Sequence, residues 1–358
     1  MDIFTSHLAE HRNTVSGFVK LGRMSEWWEY KFVPALLIGY VTSLYLGESP
    51  WTAATGLAML LLALFPGGVF VSVLNDLTDR ADDHAAGKPN RQEGRHRGIP
   101  IALLFFSLLA GAAIIWSWRN EPPLVTVYVL GWAAFALYSL PPFRLKSRGL
   151  PGVLCDATGA HLVPALLAAF LVAHSLGRDL TLFWVCAVGS WSLLYGLRGI
   201  LWHQLGDLDA DRLSKTETFV ARYGKAVTMR VVIWVFFPLE VAALLVVIFL
   251  SGFGSMLTAI LALALYARLE YRRIDQFDMT VTIVDPKPRS SIALREYYDV
   301  MLPLGFLLFG VAREWETVAV LALHCVLFPL RLRQVVTDFI KFSDPQYLSR
   351  SQRYDDLT

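Results

Sequence analysis

The chain has 358 residues, of which 55% are hydrophobic and 17% are charged, and its formal net charge at pH 7 is +2. A soluble domain of this length carries more charge and fewer long apolar runs, so the composition excludes an ordinary soluble protein. The nearly neutral charge predicts no nucleic-acid partner, because binding to a phosphate backbone requires a basic surface.

Apolar runs long enough to cross a lipid bilayer follow one another along the chain. A transmembrane helix needs roughly 17–25 predominantly apolar residues, and such runs occur at 32–48, 53–74, 99–118, 123–140, 151–174, 180–202, 226–250 and 253–269. The stretch 297–332 is interrupted by REWE, which predicts one broken span or two short ones. Because the runs are continuous and do not alternate with period two, helices are favoured over a β-barrel. The sequence therefore predicts an all-α integral membrane protein, with nine or ten transmembrane helices in a bundle around a central cavity.

The predicted domain organisation follows from these runs. We expect an N-terminal cytoplasmic or interfacial segment at 1–30, a single transmembrane helical domain at 31–334 and a cytoplasmic tail at 335–358. In the N-terminal segment the apolar residues are scattered among charges, which indicates a helix lying at the headgroups and not a cleavable signal. The connection 271–296 is long and mixed in composition, so it would either cover the cavity or form a solvated link.

Lysine and arginine residues are concentrated in alternate connections. They lie before the first span and after the second, fourth, sixth and eighth spans, whereas connections such as YLGESP and SGFG contain none. Basic loops tend to stay on the cytoplasmic side of a membrane. We therefore predict that both termini and all the basic loops are cytoplasmic, and the basic tail favours an even number of spans, hence ten.

An acidic run follows the second apolar stretch, where residues 73–91 read VLNDLTDRADDHAAGKPNR. If the helix continues through this run, Asp76, Asp79 and Asp83 fall on one face and Asp82 points elsewhere. Carboxylates are costly to place at a buried helix end unless something binds them. The run therefore predicts a binding site at the cytoplasmic end of the second span.

A second acidic run, GDLDADRL, ends the sixth span. Asp207 and Asp211 are one helical turn apart and share a face, while Asp209 points away. The first run follows the second span and the second run follows the sixth, so the two runs are four spans apart. This spacing predicts two similar halves that face each other, with the site carried by the cytoplasmic loops 75–98 and 203–225.

Carboxylate clusters of this kind suit a hard divalent cation. Mg²⁺ prefers oxygen ligands and commonly binds one or two carboxylates together with substrate phosphates. Lys88, Arg91, Arg144 and Lys146 lie in the neighbouring loops, where they would meet the phosphate oxygens that the metal leaves free. The alternative is that both runs are ordinary polar helix ends beside basic loops, but two runs with matching spacing favour a site.

Three ordered motifs resemble those of the UbiA superfamily of intramembrane prenyltransferases. NDLTDRADD fits the signature NDxxDxxxD, and residues 207–224 resemble DxxxDxxxGxxTxxxxxG. The segment YSLPPFRLKSRG, at 138–149, is similar to YSxPPxRLKxxG between the fourth and fifth spans. The matching positions of the two acidic motifs are Asn75, Asp76, Asp79, Asp83, Asp207, Asp211, Thr218 and Gly224. The sequence departs from the family pattern at Lys215, where glycine is usual, and at His203–Gln204, where an Asn-Asp pair often stands.

The resemblance implies a metal site and a reaction. Asp76, Asp79 and Asp83 would hold one Mg²⁺, and all three would be catalytic. Asp207 and Asp211 would hold a second Mg²⁺ and have the same role. The substrate-binding residues implied with them are Asn75, Lys88, Arg91, Tyr138, Arg144, Lys146 and His203.

In the implied reaction, the metals would bind the diphosphate of a polyprenyl donor, and departure of this group would leave an allylic cation. The prenyl group would pass to a small-molecule acceptor, for which an aromatic ring is one candidate. The resemblance thus implies a multi-pass protein of the lipid bilayer whose active site faces the cytoplasm.

Three other functions fit the same residues. A UbiA-type terpene cyclase would ionise the same donor and quench the cation internally. In a sugar-phosphate transfer the polyprenyl phosphate would be the acceptor and the phosphorylated sugar the donor. A transporter for an anionic lipid would use the aspartates for ion coupling, and it would be expected to have broken helices in matching halves; FPGG at 65–68 offers one such break.

Several ionisable residues lie inside apolar spans, where a functional role is the default expectation. Asp156 and His161 begin the fifth span, and they would either contact the acceptor and move its proton or form a buried hydrogen-bonded pair. Arg198, on the helix that carries the second motif, would orient an aspartate, bind the acceptor or make a structural pair. Glu240 lies in mid-span, and the sequence names no partner for it.

Overall fold

The fold is seen in a computed structural model, which describes residues 24–88, 90, 96, 98–273, 279–280 and 291–343. The surface helix expected in the segment 1–30 therefore lies almost entirely outside the described residues. So does Arg91, one of the predicted phosphate ligands, and so does most of the connection 271–296.

Helices make up almost all of the described structure. In chain order they are α1 (Met24–Tyr45), α2 (Ala54–Thr78), α3 (Arg80–Ala85), α4 (Gly98–Ser117), α5 (Pro122–Ser139), α6 (Leu150–Ser175), α7 (Leu182–Gly206), α8 (Leu208–Leu213), α9 (Phe219–Tyr223), α10 (Lys225–Leu250), α11 (Phe253–Arg273), α12 (Leu302–Arg313), α13 (Thr317–Leu327) and α14 (Pro329–Ser343). A π-helical turn, Tyr297–Met301, leads into α12. Two residues of β1 (Met279–Thr280) pair in parallel with β2 (Ser291–Ile292).

The helix ends agree with the local sequence. Proline begins α5 at Pro122, where its missing N–H costs nothing because the first turn of a helix has no partner for it. Thr181 caps α7, and its hydroxyl accepts a hydrogen bond from the Trp184 amide at 3.2 Å. The predicted interruption at REWE is confirmed, since α12 ends at Arg313 and α13 begins at Thr317.

Seven helices within the described part of the chain are long and apolar enough to cross a membrane, namely α2, α4, α5, α6, α7, α10 and α11. The pair α13 and α14, bent by 89°, gives an eighth if it is counted as one span. The predicted integral membrane fold is therefore confirmed, but the predicted count of nine or ten is not. Two of the predicted spans account for the lower count. Helix α1 is less apolar because it carries the charged residues Glu29 and Lys31, and α12, with only 12 residues, is too short to cross a bilayer.

The centre of the bundle is formed by α6 and α7. Helix α6 packs against α1, α2, α5 and α7, and α7 packs in turn against α10. A Cβ atom at Gly196 of α7 would lie 3.1 Å from the Ala157 Cα of α6, so glycine permits this close helix contact. Apolar side chains on α4, among them Phe105 and Phe106, are instead exposed, as expected for a lipid-facing surface.

Arg198 and Glu240 form an ion pair whose two side chains are completely buried. Arg198 donates from Nε to Oε2 at 2.7 Å and from Nη2 to Oε1 at 2.6 Å. Its Nη1 donates to the Ala293 carbonyl at 2.8 Å. This bidentate geometry satisfies both buried charges and joins α7, α10 and the segment before α12. Of the roles expected for Arg198, the structure shows the structural pair, and it supplies the partner of Glu240.

Candidate active site

Both acidic runs lie where a long helix stops and a short one begins. Helix α2 ends at Thr78, and Asp79 joins it to α3 with φ −96° and ψ −2°. Helix α7 ends at Gly206, and Asp207 joins it to α8 with φ −94° and ψ 2°. The helix therefore does not continue unbroken through either run, although the face assigned to the first run assumed that it would. The backbone hydrogen bond from the residue four positions after each break is nevertheless helical. The Asp83 amide donates to the Asp79 carbonyl at 2.8 Å, and the Asp211 amide donates to the Asp207 carbonyl at 2.8 Å.

The turns that follow α3 and α8 are also alike. Gly87 and Lys215 both have left-handed backbones, with φ of 68° and 57°. Glycine adopts this conformation without strain, whereas a residue with a Cβ does not. Glycine at this position, as in the motif that residues 207–224 resemble, would adopt the turn without strain, whereas Lys215 adopts it at some cost.

A side-chain hydrogen bond holds the last aspartate of each run. The Asn90 amide donates to Asp83 Oδ2 at 2.8 Å, and the Thr218 hydroxyl donates to Asp211 Oδ2 at 2.9 Å. Asn90 also donates to the Asp76 carbonyl at 2.8 Å, which ties the loop after α3 back to the end of α2. Each loop therefore orients one carboxylate oxygen.

The two runs face each other across a cavity of about 520 Å³, which we call the carboxylate cavity. Its acidic lining consists of Asp76, Asp79, Asp82, Asp83, Asp207 and Asp211. Four of the residues expected to bind substrate also line it, namely Lys88, Lys146, Tyr138 and His203. Asp82 was expected to point elsewhere; because the helix breaks at Asp79, its side chain joins the wall instead.

Lys146 reaches the cavity from the connection between α5 and α6. It lies on a 3₁₀ turn, Leu145–Ser147, and its ammonium donates to the Asp79 carboxylate. Burial lowers the pKa of Lys146 to about 8, while the negative charge of Asp211 acts in the opposite direction. Arg144 lies two residues before it and pairs with Asp82, a residue of the cavity lining, but does not itself line the cavity.

Lys88 connects the two halves directly. Its Nζ lies 2.8 Å from Asp207 Oδ1, although both side chains are about half exposed. An ion pair with this exposure contributes little to stability, so its main consequence is to place a positive charge between the runs.

Burial raises the pKa of Asp211, and repulsion from Asp207 adds to this, while the Thr218 hydrogen bond opposes it.

The oxygen-rich lining fits Mg²⁺. Within the ranges that the structure describes, no three Asp, Glu, His or Cys side chains converge closely enough to hold a metal ion unaided. Mg²⁺ does not require such a cage, because it keeps several waters and binds one or two carboxylates together with substrate phosphates. Asp76, Asp79, Asp83, Asp207 and Asp211 thus suit an ion that binds along with an anionic substrate.

A second cavity, of about 620 Å³, lies against the preceding turns of α2 and α7, and we call it the aromatic cavity. One side is apolar and includes Gly67 of α2, Trp132 and Phe135 of α5 and Pro164 of α6. His203 lines both cavities, which places the aromatic cavity directly beside the carboxylate cavity. Asn75 lines the aromatic cavity, and its side-chain oxygen accepts a hydrogen bond from the Ser139 hydroxyl.

The other side of the aromatic cavity is polar. It contains Lys31, Asp156, His161 and Arg295, and the Lys31 ammonium lies 2.9 Å from His161 Nε2. Asp156 and His161 do not form the buried pair that was one expectation, because His161 binds Lys31 instead. Lys31 and Arg295 were not predicted as site residues from the sequence. Lys31 was placed just before the first span, and Arg295 lies in a connection whose path the sequence did not reveal.

Comparison with known proteins identifies the family of the chain. The model of the UbiA prenyltransferase family matches residues 33–280, while no curated protein matches the chain. A solved UbiA homolog from Archaeoglobus fulgidus, bound to GPP and Mg²⁺, is 14% identical, and the match covers 86% of this chain and 99% of that one with a TM-score of 0.56. A structure of a UbiA homolog from Archaeoglobus fulgidus bound to Cd²⁺ is 15% identical and covers 82% and 98% with a TM-score of 0.54.

At these identities the likeness to the solved structures shows a shared helical fold. The family match is the stronger finding, because it spans well over half of the chain and includes both aspartate runs and the segment that carries Lys146. The chain belongs to the UbiA prenyltransferase family.

Proposed function

We propose that the protein transfers a prenyl group from a polyprenyl diphosphate to a small-molecule acceptor, with Mg²⁺ held at the two aspartate runs. The observation that supports this is the contact of the two cavities at His203. One cavity has the carboxylates and lysines that a metal-bound diphosphate needs, and the other has the apolar walls that a prenyl chain needs.

The carboxylate cavity would bind the diphosphate. Mg²⁺ bound there neutralises the charge that develops on the leaving group. Lys88 and Lys146 add positive charge at positions that their contacts with Asp207 and Asp79 already define, and such preorganised charge favours departure of an anion. The homolog structure bound to GPP and Mg²⁺ supports the same donor chemistry for this chain.

The apolar side of the aromatic cavity would receive the prenyl chain. Gly67, Gly68 and Gly131 line it, and a Cβ at Gly67 would meet no atom within 4 Å, so this glycine keeps the cavity open beside α2. The rings of Trp132 and Phe135 lie on the same side. Aromatic faces attract cations, so these rings would stabilise the allylic cation that forms when the C–O bond to diphosphate breaks.

The polar side would receive the acceptor. Tyr138 lies close enough to Asp156, Asp207 and Asp211 to interact electrostatically with all three, which places Asp156 beside the carboxylate cavity. The acceptor would form a new bond to the allylic carbon with its own electron pair, while the electrons of the broken C–O bond leave with the diphosphate. The acceptor then loses a proton, and we assign Asp156 as the group that takes it.

The polar side also favours a transferase over a terpene cyclase. A cyclase encloses one hydrocarbon chain and gains nothing from charged groups that are costly to bury. Here Lys31, Asp156, His161 and Arg295 line the space next to the expected position of the cation. A second, polar substrate would bind these groups and offset the cost of burying them.

The membrane topology proposed from the basic loops places the active site on the cytoplasmic side. Both aspartate runs and the Lys146 turn lie at one end of the bundle, as the contact of Lys88 with Asp207 requires. Labelling Lys215→Cys with a membrane-impermeant thiol reagent tests this orientation. We expect labelling in inside-out vesicles, and labelling only in right-side-out vesicles would contradict it.

Diphosphate release tests the proposed function. Purified protein would receive geranylgeranyl diphosphate and Mg²⁺, with and without a small-molecule extract as the source of acceptor, and products would be identified by mass. We expect Mg²⁺-dependent release that rises with the extract and is absent from Asp76→Asn. Equal release by Asp76→Asn would contradict the metal site, and a cyclic hydrocarbon formed without extract would show a cyclase.

A further inference from the structure

Helix α14 lies beyond residue 280, where the family match ends, and the proposed reaction gives it no role. It follows α13 after a bend of 89°. Helix α13 packs against α12, which packs in turn against the membrane-spanning helix α11. The right-angle bend therefore turns the chain away from the direction of the spans, so that α14 lies along the membrane surface.

The corner between α13 and α14 is fixed to the beginning of α1. Trp28 Nε1 donates to the Leu327 carbonyl at 2.7 Å. The buried carboxylate of Glu29 accepts from the amides of Leu330 and Arg331 at 2.7 and 2.8 Å. These amides belong to the first turn of α14, where no partner exists within the helix. The residues of α1 that come directly after Glu29 line the aromatic cavity, so α14 lies at the end of the bundle near the active site.

Helix α14 is amphipathic. Its apolar side chains, apart from Leu330, fall within one half of the helix circumference, namely Leu332, Val335, Val336, Phe339 and Ile340. The bundle covers only part of this half, since Val335 is 3% exposed whereas Val336 is 45% and Ile340 is 68% exposed. An amphipathic helix parallel to a membrane buries its apolar face at the boundary of headgroups and acyl chains. The uncovered apolar residues therefore indicate contact with lipid.

The opposite half of α14 is basic, with three cationic side chains and one carboxylate. Arg331 is engaged within the protein, because its guanidinium carbon lies 4.4 Å from the centre of the Tyr30 ring. Arg333 and Lys341 are exposed, and within the part of the chain that the structure describes they make no ion pair or hydrogen bond. Two cations at the level of the headgroups thus have all their donors available.

We propose that α14 is an interfacial helix that binds anionic phospholipids in the leaflet nearest the active site. Arg333 and Lys341 contact the phosphate groups, while Val336 and Ile340 lie among the acyl chains. The charges are complementary, because basic residues on an amphipathic helix are attracted to anionic lipids at the membrane surface. The surface is separate from both cavities, since none of these four residues lines either of them.

Lipid binding is measured by native mass spectrometry of the purified full chain, titrated with phosphatidylglycerol or phosphatidylcholine. We expect tighter binding of phosphatidylglycerol, and Arg333→Gln/Lys341→Gln should weaken it about 10- to 30-fold. Arg333→Lys keeps the charge and should bind as wild type. Arg212→Gln/Lys215→Gln is the matched control, because it removes two exposed cations near the second aspartate run. The proposal fails if the wild type shows no preference, or if the two double variants bind phosphatidylglycerol equally.

The orientation of α14 is tested separately with spin labels in a chain whose three native cysteines are replaced by alanine. In phosphatidylglycerol vesicles, a label at Ile340→Cys should be relaxed by oxygen, which concentrates among acyl chains. A label at Thr337→Cys, on the basic half, should be relaxed by a water-soluble nickel complex. The reverse pattern would overturn the proposal. So would dipolar broadening between labels at Ile340→Cys, which would show that a second copy of the chain covers the apolar residues.

Discussion

Asp79 and Asp207 are equivalent residues in two halves of the chain related by a shift of 128 positions (79 to 207, 83 to 211). Each joins a long helix of 25 residues to a helix of 6 residues, and their backbone angles agree within a few degrees. The sequence suggested only a similar organisation of the two halves. The two runs therefore share the same local backbone geometry, and we propose that each half contributes one set of metal ligands.

In the proposed two-metal site, a change in the second run should be as damaging as one in the first. We expect Asp207→Asn to lower diphosphate release at least about 100-fold, since it removes charge that faces the developing anion. Asp209→Asn is the matched control, because its side chain is 98% exposed and, among the described residues, pairs only with Arg212 in the same helix. Equal rates for the two variants would show that Asp207 has no part in binding the metal.

Lys146 is expected to act on the donor alone. Lys146→Ala should raise the KM of the prenyl diphosphate about 10-fold, because it removes a charged hydrogen-bond donor from the wall of the carboxylate cavity. Initial rates over a range of donor concentrations measure this. Arg119→Ala, in the connection between α4 and α5 at the other end of the bundle, should behave as wild type. An unchanged donor KM in Lys146→Ala would remove this residue from the site.

Gly152 determines where the Lys146 turn can lie. A Cβ at Gly152 would be 2.3 Å from the Leu145 carbonyl oxygen, which belongs to the backbone of that turn. Gly152→Ala should therefore displace Lys146 and raise the donor KM without altering any aspartate. In Gly189→Ala the added Cβ meets only side-chain atoms, the nearest at 3.4 Å, so this variant should keep the wild-type KM. The same KM in both variants would contradict the role of this contact.

The buried pair Arg198–Glu240 is expected to matter for stability. Removing one partner leaves an uncompensated buried charge, so Glu240→Leu should destabilise the protein by about 3–5 kcal/mol. The double variant Arg198→Met/Glu240→Leu removes both charges and should regain much of this loss. Thermal unfolding in detergent, followed by tryptophan fluorescence, measures both. If the losses in stability from the two substitutions simply added in the double variant, Arg198 and Glu240 would not be energetically coupled.

Much of the site could be predicted from the sequence because its signals are local. Helical periodicity placed Asp76, Asp79 and Asp83 together without any knowledge of the fold. The same periodicity failed for Asp82, because it assumes an unbroken helix and the chain breaks at Asp79. The local sequence pattern therefore predicted which segments form the carboxylate cavity, but not every side chain that lines it.

The sequence alone determined the membrane class, the approximate ends of the long helices and the two acidic runs, since hydropathy and spacing are properties of short segments. Only the tertiary structure decided that Lys88 reaches Asp207, that Arg198 pairs with Glu240 and that Arg295 enters the aromatic cavity. These partners are far apart in the chain, and their meeting depends on which faces of which helices pack together. That choice is made by the packing of the whole bundle, and no single segment encodes it.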